Sequence, residues 1–172
     1  LLGRMSDIVD YLLYVDKKTG LPNREKLNIY IGEMAGKVLP EAFTCFTLSL
    51  DNLSELTKRF GYTVGDGVLK DFAGLVQLMG DTEGMRGYNG VGRFVVFFEE
   101  CSSKKAAAMI RILDNQVEEY NSLNPEYPIR YTAAWATTEE TDTYEIRELL
   151  RLSQKKWKQM EKEKKDKTEE ET

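Results

Sequence analysis

No histidine occurs in this chain, which excludes Ser/His and Cys/His nucleophilic catalysis and removes the commonest transition-metal ligand. Any metal would have to be held by oxygen. The residues left to do chemistry gather in three places: Ser49-Leu50-Asp51, Gly61-Tyr62-Thr63-Val64-Gly65-Asp66, and Tyr88-Asn89-Gly90-Val91-Gly92-Arg93. Asn89-Gly90 signals a tight β-turn because both residue types tolerate positive φ, and Gly92 adds a second permissive position. Backbone N–H groups of such a turn, with the Arg93 guanidinium, can meet a phosphate directly. Arg93 can equally pair with a surface carboxylate such as Glu99 or Glu100. Asp66 can cap the helix that follows it or accept hydrogen bonds from a ligand. Cys45 lies in an apolar run, so it and Cys101 read as free buried thiols of a cytoplasmic protein.

The elements that must position these residues follow from periodicity. Leu2, Met5, Ile8 or Val9, Leu12 and Leu13 fall at near-helical spacing, predicting an amphipathic helix that is either a signalling or coiled-coil helix or an ordinary packing helix. Thr19-Gly20-Leu21-Pro22 is a turn, and Asn23 is an N-cap for a helix to about Gly36. Phe43 to Leu50 is a strand, apolar on one face and mixed on the other. Asn52 to Phe60 is a short helix, Gly61 to Gly65 turns the chain, and Asp66 opens a longer helix. Phe94 to Phe98 is a buried strand, Ser102 or Ser103 starts a helix to about Tyr120, and Ile129 to Thr137 is a strand. Thr143 to about Lys165 forms the last helix, and the charged run from Lys162 to Thr172 is expected to fray or be disordered. Helices alternating with strands, one hairpin included, fit an α/β layer arrangement.

With 172 residues, 41% of them hydrophobic, the chain can bury the core of one globular domain with extensions. Its 24 basic and 29 acidic residues give a net charge of −5, which offers no footprint for duplex nucleic acid. No apolar run approaches membrane-spanning length, and no secretory signal pattern is present.

Three stretches together resemble one family. Asp16-Lys17-Lys18-Thr19-Gly20-Leu21-Pro22-Asn23-Arg24 is similar to the D-x-L-T-G-L-P-N-R entry segment of GGDEF domains, the diguanylate cyclases. Ser49 to Asp66 is similar to that family's D-x-D-x-F-K-x-x-N-D-x-x-G-H-x-x-G-D, and Gly90-Val91-Gly92-Arg93-Phe94 falls on its Gly-Gly-Asp/Glu-Glu-Phe signature. The resemblance implies a central mixed, largely antiparallel sheet flanked by helices, like the palm of nucleotide cyclases with a ferredoxin-like core. It implies residues 1–15 as a signalling or linker helix, 16–165 as a degenerate GGDEF domain, and 166–172 as a charged tail.

The family joins two GTP molecules using metal ions held by carboxylates, and a Mg²⁺ ion needs oxygen ligands at about 2.0–2.1 Å. Ser49, Leu50, Gly92 and Arg93 fall on the family's metal-site positions: its first aspartate matches Ser49, its signature carboxylate Gly92, and its glutamate Arg93. Asp51 lies two residues beyond Ser49, about 6.6 Å at strand rise, too far to substitute without a register shift. The base-reading residues match Thr57 and Asp66, the family lysine after the strand matches Ser54, and the histidine matches Tyr62. The phosphate-binding lysine of the last helix falls at Glu161, with Lys162 and Lys165 nearby on a solvated face. The R-x-x-D inhibitory motif would align with Asp81 to Gly84 and is absent, with Arg86 out of register. The resemblance therefore implies no catalytic residue, no bound Mg²⁺ and no cyclase activity. Candidate nucleotide contacts are Asp66, Thr57, Arg93, Gly90 and Gly92. The expected role is a regulatory or interaction module of a bacterial signalling protein, cytoplasmic or the cytoplasmic part of a membrane-tethered one. An upstream sensor and a homodimer or heterodimer with another GGDEF domain are the expected partners, with no nucleic acid and no membrane insertion. A metal-independent sensor of GTP or cyclic di-GMP, or residual cyclase activity in a heterodimer, are the alternatives.

Overall fold

A computed structural model describes residues 2–80 and 83–171. Asp81 and Thr82, at the start of the expected inhibitory-motif alignment, lie outside the described residues.

Strand β1 (Thr44–Leu50) forms the middle of the molecule and is buried along its whole length. It pairs with β3 (Arg93–Phe98) on one side and β4 (Tyr131–Thr137) on the other, and β2 (Gly84–Tyr88) pairs with β3. The order is β2-β3-β1-β4, and every one of these pairings is antiparallel. The expected sheet is thus present without a parallel pair. β1 is not half-solvated because helices cover both faces. Phe46, Leu48 and Leu50 alternate with Cys45 and Phe43, so period 2 sends one set to each layer.

One layer contains α3 (Leu53–Phe60), α4 (Tyr62–Gln77) and α5 (Ser103–Leu123), packing Leu56, Phe72, Val76 and Leu113 against Phe46, Phe94 and Phe98. The other contains α2 (Arg24–Met34) and α7 (Ile146–Glu170), packing Leu27, Ile31, Ile146 and Leu149 against Cys45, Val95 and Phe97. Asn23 and Ser102 cap α2 and α5 as expected, accepting from the N–H groups of Lys26 and Lys105.

Several boundaries differ from expectation. Helix α4 begins at Tyr62, directly after Gly61 at φ 92°, so Gly61 alone turns the chain and Asp66 is not an N-cap. Gly65 is helical, and a Cβ there would lie 2.3 Å from Thr57 Oγ1; it serves close helix packing, not a turn. The last helix is preceded by a short α6 (Thr138–Thr141), closed by Asp142 in the left-handed region at φ 51°. Glu145 then caps α7, its carboxylate accepting from the Glu148 N–H at 2.8 Å. Helix α7 continues to Glu170 instead of ending near Lys165, with residues 162–171 exposed. Ion pairs such as Lys165–Glu161 at 2.8 Å support it there.

Helix α1 (Leu2–Tyr14) leaves Met5, Ile8, Val9, Leu12 and Leu13 about half exposed or more. The apolar stripe exists as expected, but it does not bury itself against the domain.

Candidate functional site

The turn between β2 and β3 has three successive residues in the left-handed region: Gly90 at φ 82°, Val91 at 54° and Gly92 at 73°. Asn89 is not among them, so the permissive positions sit one residue later than the Asn-Gly signal suggests. Arg24, the last residue of the entry segment, clamps this turn. Its Nη2 donates to the Asn89 carbonyl at 2.5 Å and its Nε to Asn89 Oδ1 at 3.2 Å. Gly92 is held from both sides: its N–H donates to the Tyr88 hydroxyl at 2.9 Å, and its carbonyl accepts from the Leu50 N–H at 2.7 Å. A Cβ at Gly92 would sit 3.0 Å from the Leu50 carbonyl oxygen. Leu50 and Gly92 therefore face each other as backbone, with no space for a carboxylate side chain unless the loop shifts.

In the β1–β3 register Ser49 lies opposite Arg93. The Arg93 guanidinium does not reach toward Glu99 or Glu100, which lie past the far end of β3; it stacks on the Trp157 ring with its carbon 4.7 Å from the centroid. Trp157, only 5% exposed, donates from Nε1 to Ser49 Oγ at 2.8 Å. The Ser49 hydroxyl in turn donates to Asp51 Oδ1 at 2.6 Å. The estimate from strand rise fails because β1 ends at Leu50 and Asp51 belongs to the turn, so its side chain folds back toward Ser49. The second Asp51 oxygen accepts from Thr132 Oγ1 at 2.5 Å. Thr132 in turn accepts from Lys164 Nζ at 3.1 Å, and the same ammonium donates to the Tyr131 carbonyl at 2.7 Å.

Each donor in this chain of contacts, from Trp157 through Ser49, Asp51 and Thr132 to Lys164, has an acceptor. The donor set does not fit a magnesium ion. Of the positions in question, 49 offers a hydroxyl already committed in both directions, 92 has no side chain, and 93 carries a cation. Asp51 is the one carboxylate, and both its oxygens are engaged. Among the described residues no group of three or more His, Cys, Asp or Glu is placed to hold a metal ion. A cation at position 93 disfavours a nearby divalent ion, by about 4 kcal/mol per unit charge pair at a separation of about 4 Å and an effective dielectric near 20.

The other candidates lie on α3 and α4, against the opposite face of the sheet. Thr57 packs against Gly65, and Asp66 pairs with Lys18 of the entry segment at 3.4 Å. Ser54 and Tyr62 are exposed. Near the end of α7, Lys165 pairs with Glu161, and it is Lys164, not Lys162 or Lys165, that reaches the sheet. Sequence reasoning missed Trp157, Thr132 and Lys164. The signal available was weak: a tryptophan on the buried stripe of α7, which reads as core until its indole nitrogen is seen to need an acceptor.

Arg86 is buried in the sheet, stacked 4.8 Å over Phe98 and donating to the Met79 carbonyl at 2.5 Å. Burial lowers its pKa from the ordinary arginine value.

A four-stranded antiparallel sheet in this order, helices on both faces and a glycine turn beside the end of the central strand together define a nucleotide-cyclase-like domain. Residues 13–167 match the family model described as diguanylate cyclase, GGDEF domain, and the chain belongs to that family. Among solved structures it is similar to a diguanylate cyclase/phosphodiesterase from Caldicellulosiruptor saccharolyticus, at 19% identity and TM-score 0.67, covering 88% of this chain and 91% of that one. It is also similar to the active GGEEF domain of a diguanylate cyclase from Vibrio cholerae, at 20% identity and TM-score 0.63, covering 70% and 77%. Vibrio cholerae LapD, as an S helix-GGDEF-EAL chain bound to c-di-GMP, matches at 13% identity and TM-score 0.65, over 79% of this chain. The present chain spans only 32% of that LapD chain. No curated protein matches.

Proposed function

We propose that this GGDEF domain has no cyclase activity and works as a regulatory or interaction module in a bacterial cytoplasmic signalling protein, without Mg²⁺. The observation that carries this reading is the contact chain from Trp157 to Lys164, which engages Ser49 and both oxygens of Asp51. A phosphoryl-transfer site needs several anionic oxygens to hold its metal and neutralise developing charge. Here Asp51 is the one carboxylate at these positions, it accepts from Ser49 and Thr132, and Lys164 donates to Thr132. Residues 1–15 then act as a signalling or linker helix. The exposed apolar stripe of α1 supports that role, joining the domain to an upstream sensor or to a second GGDEF domain.

The test is incubation of the purified domain with GTP and either Mg²⁺ or Mn²⁺, followed by chromatography for cyclic di-GMP. Product at the level of a no-protein blank is expected; sustained turnover contradicts the reading. A metal-independent nucleotide sensor is less well supported at the original candidates. The Gly92 N–H is committed to Tyr88 and Asp66 is paired with Lys18, whereas Arg93 remains able to meet phosphate.

A further inference from the structure

On the α2 and α7 side of the sheet, α7 and β3 enclose a groove of about 400 Å³, within the size range of small-molecule sites. Its walls are Thr47, Phe94 and Val95 from the strands, Arg93 and Asn89 from the end of the hairpin, and one face of α7. That face carries Arg151, Gln154, Lys155 and Lys158, at i, i+3, i+4 and i+7, beside Trp157. Four cations and no acid line the groove, in a chain whose net charge is −5. We propose that this groove binds a di- or triphosphate group, with Arg93, Lys155 and Lys158 as its cationic contacts.

Three observations support the assignment. The ion pairs among the described residues are Lys18–Asp66, Arg151–Glu148 and Lys165–Glu161. Arg151 is thus answered by its own helix, whereas Arg93, Lys155 and Lys158 have no carboxylate of the described residues within ion-pair distance. Second, like charges at i,i+4 and i,i+3 (Arg151 and Lys155, Lys155 and Lys158) oppose helix formation in the absence of an anion. Third, Arg93 is not a floppy surface cation, because stacking on the buried Trp157 fixes its guanidinium plane at the groove wall. A fixed guanidinium flanked by two mobile ammonium groups suits a chain of phosphates, the guanidinium taking one bidentately and the lysines meeting the next as point charges. Thr47 Oγ1 is tied to Ser153 at 2.6 Å and closes the floor. The site lies on the opposite face of the sheet from Thr57 and Asp66 and needs no metal.

The phosphates can come from free polyphosphate or from a nucleotide. Calorimetric titration in EDTA with pyrophosphate, tripolyphosphate, ATP and GTP, at low salt, tests the site and separates these sources. Saturable one-to-one binding of tripolyphosphate is expected. Tighter binding of either nucleotide assigns the phosphates to it, and equal binding assigns them to the polyphosphate alone. The double variant K155Q/K158Q should weaken binding about tenfold or more, as loss of two charge-assisted contacts requires. K162Q/K167Q removes the same charge from the distal part of α7 and should change affinity less than about twofold. Both pairs are exposed, and circular dichroism confirms that the variants fold. Absence of saturable binding at about 10 mM ligand, or equal loss in both double variants, overturns the proposal. Neither result bears on cyclase activity, which is read from the GTP turnover assay.

Discussion

Trp157 unites packing and polarity at one residue: its ring supports Arg93 and its nitrogen satisfies Ser49. Trp157→Phe keeps much of the apolar volume but removes the donor and weakens the stacking. It should cost about 1–3 kcal/mol, read as a lower urea midpoint at unchanged m-value. Val91 is a different case, an 86% exposed β-branched residue in the left-handed region at φ 54°. Val91→Gly should stabilise the domain by up to about 1 kcal/mol, the relieved strain exceeding the added chain entropy. Unchanged or lower stability would show that the turn does not hold Val91 in that conformation. Ser49, Gly92 and Arg93 were legible as departures from the family pattern because each differs in charge or size. What occupies their surroundings was not legible, since Trp157 and Lys164 lie more than a hundred positions from Ser49 and no periodicity pairs them.

At the scale of elements, α3 and α4 make their closest approach where Gly65 meets Thr57. A methyl group at Gly65 would meet Thr57 Oγ1 at 2.3 Å, while the Thr57 Cβ would be 3.4 Å away. Gly65→Ala should therefore destabilise by about 1–3 kcal/mol alone, and by distinctly less in a Thr57→Ala background. A strictly additive double-mutant cycle would contradict this account. The same contact explains why Asp66 does not cap the helix: Gly65 looks like a turn residue in sequence, but it lies inside α4 and is small so that two helices can approach. Strands β1 and β3, by contrast, were readable to within one residue, β4 was expected two residues early, and β2 was not read as a separate strand. Their apolar alternation and the Asn23 and Ser102 caps are local signals, whereas the start and length of α7 depend on a left-handed Asp142 and on ion pairs.

For the whole molecule, burial keeps several groups neutral. It raises the Cys45 thiol to about 12, and burial followed by Glu99 and Cys45 raises Tyr30 to about 12. Burial followed by Asp114 raises Tyr131 as well. Their ordinary values are 9.0 for the thiol and 10.0 for the phenols. Between those values and the raised ones the folded chain holds more protons than the unfolded chain, so stability falls as pH rises. Urea midpoints should be level below about pH 9 and decline steadily towards pH 12, and Cys45→Ala should flatten the first part of that decline. The α/β layer arrangement was visible from the alternation of helices and strands, and the family from three motifs, because the scaffold residues kept their types while the site residues did not. The central claim is that Ser49 and Asp51 are occupied by their own domain's side chains. Paramagnetic broadening by Mn²⁺ in the absence of nucleotide tests it most directly. The account predicts that backbone amide signals of Ser49, Leu50, Asp51, Gly92 and Arg93 keep their intensities relative to the rest of the sheet; selective loss of those signals would contradict it.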